Sequence, residues 1–104
     1  MNNTLVIYEY KAALYDVYHW IERFKDKIED FSKKDWCSQA IPPIVIGTTF
    51  KVKMSFNDEE ITIIPFNLLE HVNKDKSYYN KIVLIGRVPI ENQEIMNLLK
   101  QLLF

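Results

Sequence analysis

The chain has 104 residues, 48% of them apolar and 26% charged, with a formal net charge of −1. That length fits one domain with a modest core, and two glycines and four prolines exclude a linker or a low-complexity tail. Residues 1–40 carry six basic and seven acidic side chains, residues 41–73 two and four, and residues 74–104 five and three. No segment therefore has the basic excess of a surface that tracks phosphates, which excludes direct nucleic-acid binding by charge.

Thr4–Tyr10 is β-branched and aromatic and reads as a short strand, with Val6, Tyr8 and Tyr10 on one face. A long helix is expected next. Leu14, Val17, Ile21, Phe24, Ile28 and Phe31 recur at spacings of three and four, and Glu22, Asp26, Glu29, Asp30, Lys33 and Lys34 occupy the opposite side. Trp36–Pro43 reads as a connection, because Pro42–Pro43 blocks both helix and central-strand hydrogen bonding. Ile44–Phe56 and Glu60–Phe66 form a predicted β-hairpin around Asn57–Asp58, with Gly47 marking a bulge or bend. A short helix from Asn67 to about Val72 follows, then a polar loop carrying Tyr78–Tyr79. Lys81–Val88 has the continuous apolar run of a central strand covered on both faces. Pro89 opens a last helix whose buried face is Ile95, Leu98, Leu99 and Leu102.

The expected fold is α+β, one domain over residues 1–104, built as a two-layer sandwich with helices on one face of a mainly antiparallel sheet. The element order is β-α-β-β-(short α)-β-α. Cys37 stands alone, so no internal disulfide is available, and a reducing cytoplasm is the expected location. MNNTLVIYEY lacks the basic and apolar regions of a signal peptide, and no apolar run is long enough to span a bilayer.

Catalytic patterns are weak throughout. Cys37 has His19 and His71 as its available bases, with no spacing that points to a dyad. Three Cys and His residues scattered across the chain make a poor zinc set, and Asp58–Glu59–Glu60 lacks the spacing of a calcium loop. Two glycines cannot supply a phosphate-binding loop. The reading is therefore a non-enzyme without cofactor or metal.

Aromatic surplus is the remaining signal. Tyr8, Tyr10, Tyr15, Tyr18, Trp20, Phe24, Phe31 and Trp36 crowd one stretch, more than a helical stripe can bury. Phe24 and Phe31 belong to the expected core seam, whereas Tyr15, Tyr18, Trp20 and Trp36 are available as anchors. The expected function is a small inhibitor or neutraliser of another protein, of the toxin-immunity, antitoxin or phage counter-defence kind. Acids at Glu22, Asp26, Glu29, Asp58, Glu59 and Glu60 would steer it to a basic partner. Alternatives are a homo-oligomeric structural or regulatory domain, such as a homodimer pairing through Leu98–Phe104 or the hairpin edge, and a small enzyme or ligand-binding domain with a cleft beside Cys37 or His71.

Overall fold

The first strand becomes the buried axis of the sheet. β1 (Asn2–Tyr8) has six consecutive buried residues, Asn3 to Tyr8, because it pairs on both edges and is covered on both faces. The computed structural model describes residues 2–71, 78–89, 91, 93, 96 and 97. After β1 come α1 (Leu14–Arg23), a 3₁₀ turn (Lys25–Lys27), β2 (Ile28–Cys37), β3 (Val45–Met54) and β4 (Glu59–Pro65). A 3₁₀ segment (Phe66–His71) and β5 (Lys81–Ile85) complete the described elements. The expected last helix falls largely outside the described residues, and Leu98–Phe104 wholly so.

The five strands lie in the order β2-β3-β4-β1-β5. β2, β3 and β4 form an antiparallel meander, while β4, β1 and β5 run parallel. The α+β class holds, but the sheet is mixed rather than mainly antiparallel. Parallel neighbours require crossovers, and the two here run in opposite directions across the sheet. From β1 the chain crosses by α1 to the far edge at β2, and from β4 it crosses by Phe66–His71 past β1 to β5. Crossovers of one hand running in opposite directions must lie on opposite faces, which places α1 on one side and the 3₁₀ segment on the other. Helices on one face alone, as a two-layer sandwich demands, are not what forms.

The largest departure from the sequence reading lies at residues 28–37. The helix stops at Arg23, and Ile28–Cys37 is a strand, so the chain contains one strand more than expected before the hairpin. Asp16 in the first turn and Arg23 in the last suit the helix dipole over these ten residues. Beyond Phe24, a tertiary partner wins. The Ser55 amide and hydroxyl both donate to the Lys27 carbonyl, at 2.8 and 3.0 Å, and β2 then zips onto β3. Pairing with an existing strand replaces intrahelical bonds in a segment whose local propensity is indifferent. The acid–base pairs expected four apart on a helix, Glu29–Lys33 and Asp30–Lys34, therefore do not form. Phe31, expected in the core, is 42% exposed and rests against Phe50 at 6.1 Å between ring centroids.

Two cores result. Under α1, Val6, Tyr8, Val17, Phe50, Val52 and Ile63 pack together, with Leu14, Tyr18, Trp20 and Ile21 at the margin. On the other face, Leu5, Ile7 and Ile64 meet Leu68 and Leu69 of the 3₁₀ segment. β5 is an edge strand with Leu84 exposed, so the strand covered on both faces is β1 and not Lys81–Val88. The β3–β4 hairpin follows its expectation closely, with left-handed Asn57 and Asp58 at the turn.

Candidate functional site

On the face opposite α1, strand register lays out rows of side chains. Ser32, Lys51 and Thr62 form one row across β2, β3 and β4. Lys34 and Thr49 begin the next, and Trp36 faces Gly47 in the last. Towards β1 the same face turns apolar, and there Leu68 and Leu69 cover it. The 3₁₀ segment covers that apolar half and leaves the polar β2–β3 half open.

Gly47 makes this junction possible. A Cβ there would sit 2.7 Å from Leu68 Cδ1 and 2.9 Å from Pro65 Cγ, so a side chain would force those two side chains to shift. With no side chain opposite it, Trp36 leans toward the segment and stacks on His71 at 4.7 Å and 28°. Its indole N–H donates to Thr49 Oγ1 at 3.0 Å, and Lys34 Nζ lies 4.0 Å from the ring centroid. Asn67 Nδ2 donates to the Ile46 carbonyl at 2.9 Å, tying the same segment to β3.

A cleft of about 590 Å³ opens between these groups, with Tyr78 and Tyr79 on its wall. The two tyrosines contact edge to face at 4.7 Å. Burial pushes the Tyr79 phenol up from its ordinary value, against a hydrogen bond with Thr62 that lowers it. Among the described lining residues the ammonium groups on this face are those of Lys34 and Lys51, since Lys33 turns its ammonium to Tyr18 on the α1 side, and none is a carboxylate.

A second exposed feature caps the β2–β3 ribbon. Ser38 N donates to the Ile44 carbonyl at 2.8 Å, and Ile44 N donates back to Ser38 Oγ at 3.1 Å. This pair closes the tip, and the run Ala40 to Ile46, which continues from the tip into the first two residues of β3, is apolar and exposed without interruption. Ile41 is 98% exposed and Ile44 63%.

The residues expected to form a partner surface are dispersed. Tyr15 is 74% exposed on α1. Tyr18 is half-buried, edge-on to Phe50, and its hydroxyl accepts from Lys33 Nζ at 3.2 Å. That hydrogen bond first, then the charges of Tyr18 and Asp35, raise the Lys33 pKa. Trp20 packs on Phe24 at 5.3 Å, and Trp36 lies on the opposite side of the sheet in the cleft. The acids are equally scattered. Glu22 pairs with Lys25 at 2.9 Å on α1, Asp26 sits in the 3₁₀ turn, and Glu29 on β2 lies 3.6 Å from Lys53. Asp58 is a turn residue; Glu59 accepts from Thr4 Oγ1 at 3.2 Å, and Glu60 points to the opposite face beside Lys53. No shared acidic helix face exists, because Glu22, Asp26 and Glu29 belong to three different elements.

Sequence reading missed the ribbon tip and the lysines of the cleft. The run AIPPIVI carried the signal for the first, since its five apolar residues flank two prolines that fit neither a helix stripe nor a central strand. The lysines carried none, because their convergence depends on the β2–β3 register. Cys37 is a free, exposed thiol. Among the described residues, no three His, Cys, Asp or Glu side chains group as a metal site, and no helix is long and apolar enough to cross a membrane. No protein-family model, curated protein or solved structure matches this chain.

Proposed function

We propose that the protein is a non-catalytic binding module that acts by occupying another protein, in the manner of an inhibitor or neutraliser such as an immunity protein, antitoxin or phage counter-defence factor. The observation that carries this reading is the apolar run at the ribbon tip, Ala40 to Ile46, held in solvent by the Ser38–Ile44 closure. Exposing a continuous apolar run costs solubility, and covering it with a partner removes that cost. Ile41 and Ile44 are the anchors in this reading, and the charged flank of β2 (Glu29, Asp30, Lys33, Lys34, Asp35) forms a polar rim.

The test is affinity capture from the native host with matched baits. The wild-type bait should retain a defined partner that Ile41→Asp/Ile44→Asp loses by about tenfold or more, as expected of interface anchors. A Tyr15→Ala bait should behave as wild type, since Tyr15 lies on α1, outside the tip. Equal capture by the tip variant and the wild type would remove the reading.

A second reading, self-association through β2, is favoured by charge. Antiparallel pairing of two β2 edges about Phe31–Ser32 sets Glu29 against Lys34 and Asp30 against Lys33, each twice. Light scattering on the purified chain separates the two: a concentration-independent monomer leaves the partner-binding reading alone.

A further inference from the structure

We infer that the cleft between Trp36 and Tyr79 is a binding site for a small phosphorylated aromatic ligand of the mononucleotide class. Its volume, about 590 Å³, falls in the range of small-molecule sites. Two kinds of group converge on it. One is an anion-attracting set. Lys34 and Lys51 lie on one face of neighbouring strands as diagonal neighbours, since Lys34 opposes Thr49 and Lys51 opposes Ser32. Diagonal positions are about 7–8 Å apart at Cα, close enough for two flexible ammonium groups to meet one phosphate. Ser32 and Thr62 add hydroxyls on either side of Lys51, and no carboxylate is among the described lining residues.

The other is a pair of aromatic walls. Trp36 stacked on His71 forms one, and the Tyr78–Tyr79 pair forms the second. Trp36 and Tyr79 are half-buried, packed against the second core on one side and lining the cleft on the other, and Thr49 and Thr62 fix their orientation through hydrogen bonds. A planar base between the walls, with its phosphate on the lysines, satisfies both sets at once. Inorganic phosphate would use half of the site, and an unphosphorylated nucleoside the other half. The Lys34 contact with Trp36 is an exposed cation–π pair, and a phosphate can draw the ammonium away at small cost. The chain's near-neutral total charge does not oppose this, because a single small anion responds to the local lysines and not to a long basic track.

Trp20→Phe leaves Trp36 as the sole tryptophan, so its emission reports on the cleft directly. The four nucleoside monophosphates are titrated against this variant, with calorimetry on the wild-type chain as a readout independent of that substitution. Adenosine, inorganic phosphate and a 5′-phosphorylated single strand of about ten nucleotides, a typical binding-site length, serve as comparators. At least one mononucleotide should bind saturably at one site, about tenfold or more tighter than either adenosine or phosphate. Lys34→Gln and Lys51→Gln should each weaken it by about tenfold with unchanged circular dichroism. Binding of the strand through its phosphorylated end, abolished by removing that phosphate, would support the same site with an oligonucleotide as its source. Three results would overturn the inference: no mononucleotide preferred over phosphate, affinity indifferent to both lysines, or strand binding that ignores the terminal phosphate.

Discussion

β1 and β2 are both strands of one sheet, yet nearly every property that matters separates them. β1 has six of its seven residues buried and is paired on both edges. β2 has eight of its ten residues exposed and is paired on one edge. The first is where stability resides, and the second, with the apolar tip and one wall of the cleft attached, is where binding is proposed. A partner surface needs exposed side chains and a backbone edge, and an interior strand can offer neither. The contrast also explains why the β2 sequence carries charge on both of its faces: with solvent above and below, nothing selects an apolar alternation.

The two strands should respond very differently to truncation. Ile7→Ala in β1 removes a fully buried side chain from the core against Leu68 and Leu69, and should cost about 2–5 kcal/mol in urea unfolding. A loss below that range would mean that β1 is not the axis of the fold. Gly47→Ala tests the seam between the two regions. Its Cβ would collide with Leu68 and Pro65, so about 1–3 kcal/mol of destabilisation is expected from overpacking, together with a changed Trp36 emission as those side chains shift.

Tyr8 sharpens the comparison through pH. Its hydroxyl donates to the Thr48 carbonyl in the core, and burial holds the phenol well above its ordinary value. The neutral form is therefore the one the fold favours. Its contribution is complete below the unfolded value of about 10 and is lost as pH rises above it, by up to about 1.4 kcal/mol per pH unit. Tyr8→Phe should destabilise the protein by about 1–3 kcal/mol at neutral pH by stranding the Thr48 carbonyl, and should flatten the alkaline fall. Equal alkaline slopes in the two proteins would contradict a buried, neutral Tyr8. The smallest effect belongs to β2. Phe31→Ala, at a 42% exposed edge position, should cost no more than about 0.5–1 kcal/mol by the same denaturation assay.

Much of the apolar framework was legible in the sequence, and the reason is burial. Leu5, Ile7, Val17, Phe50, Val52 and Ile63 lie on periodic faces that can be counted, and the turn residues Asn57–Asp58 announce the β3–β4 hairpin. Ile28 and Phe31 show where counting misleads. They continue the helical spacing of Leu14, Val17, Ile21 and Phe24, although their segment pairs as a strand. An edge strand exposed on both faces has no period of its own, so a coincidental helical one goes unopposed. The candidate site was less legible still. Trp36 was singled out, but with helix-borne acids and aromatics that the fold disperses over both sides of the sheet. Lys34, Lys51, His71 and Tyr79 are far apart in the chain, and strand register together with the second crossover brings them to one cleft.

The sequence by itself determined that this chain folds as an α+β domain, that its first strand is apolar, and that residues 45–65 form a hairpin. These are local patterns of burial and turn chemistry, which neighbouring residues enforce on one another. Tertiary structure alone decided that Ile28–Cys37 leaves the helix and that the two crossovers take opposite faces. It also decided that an apolar tip and a lysine-and-aromatic cleft share one ribbon. Those outcomes depend on which distant segment supplies the hydrogen-bond partner: Ser55 catches Lys27, β3 captures β2, and the hand of the crossovers fixes the rest.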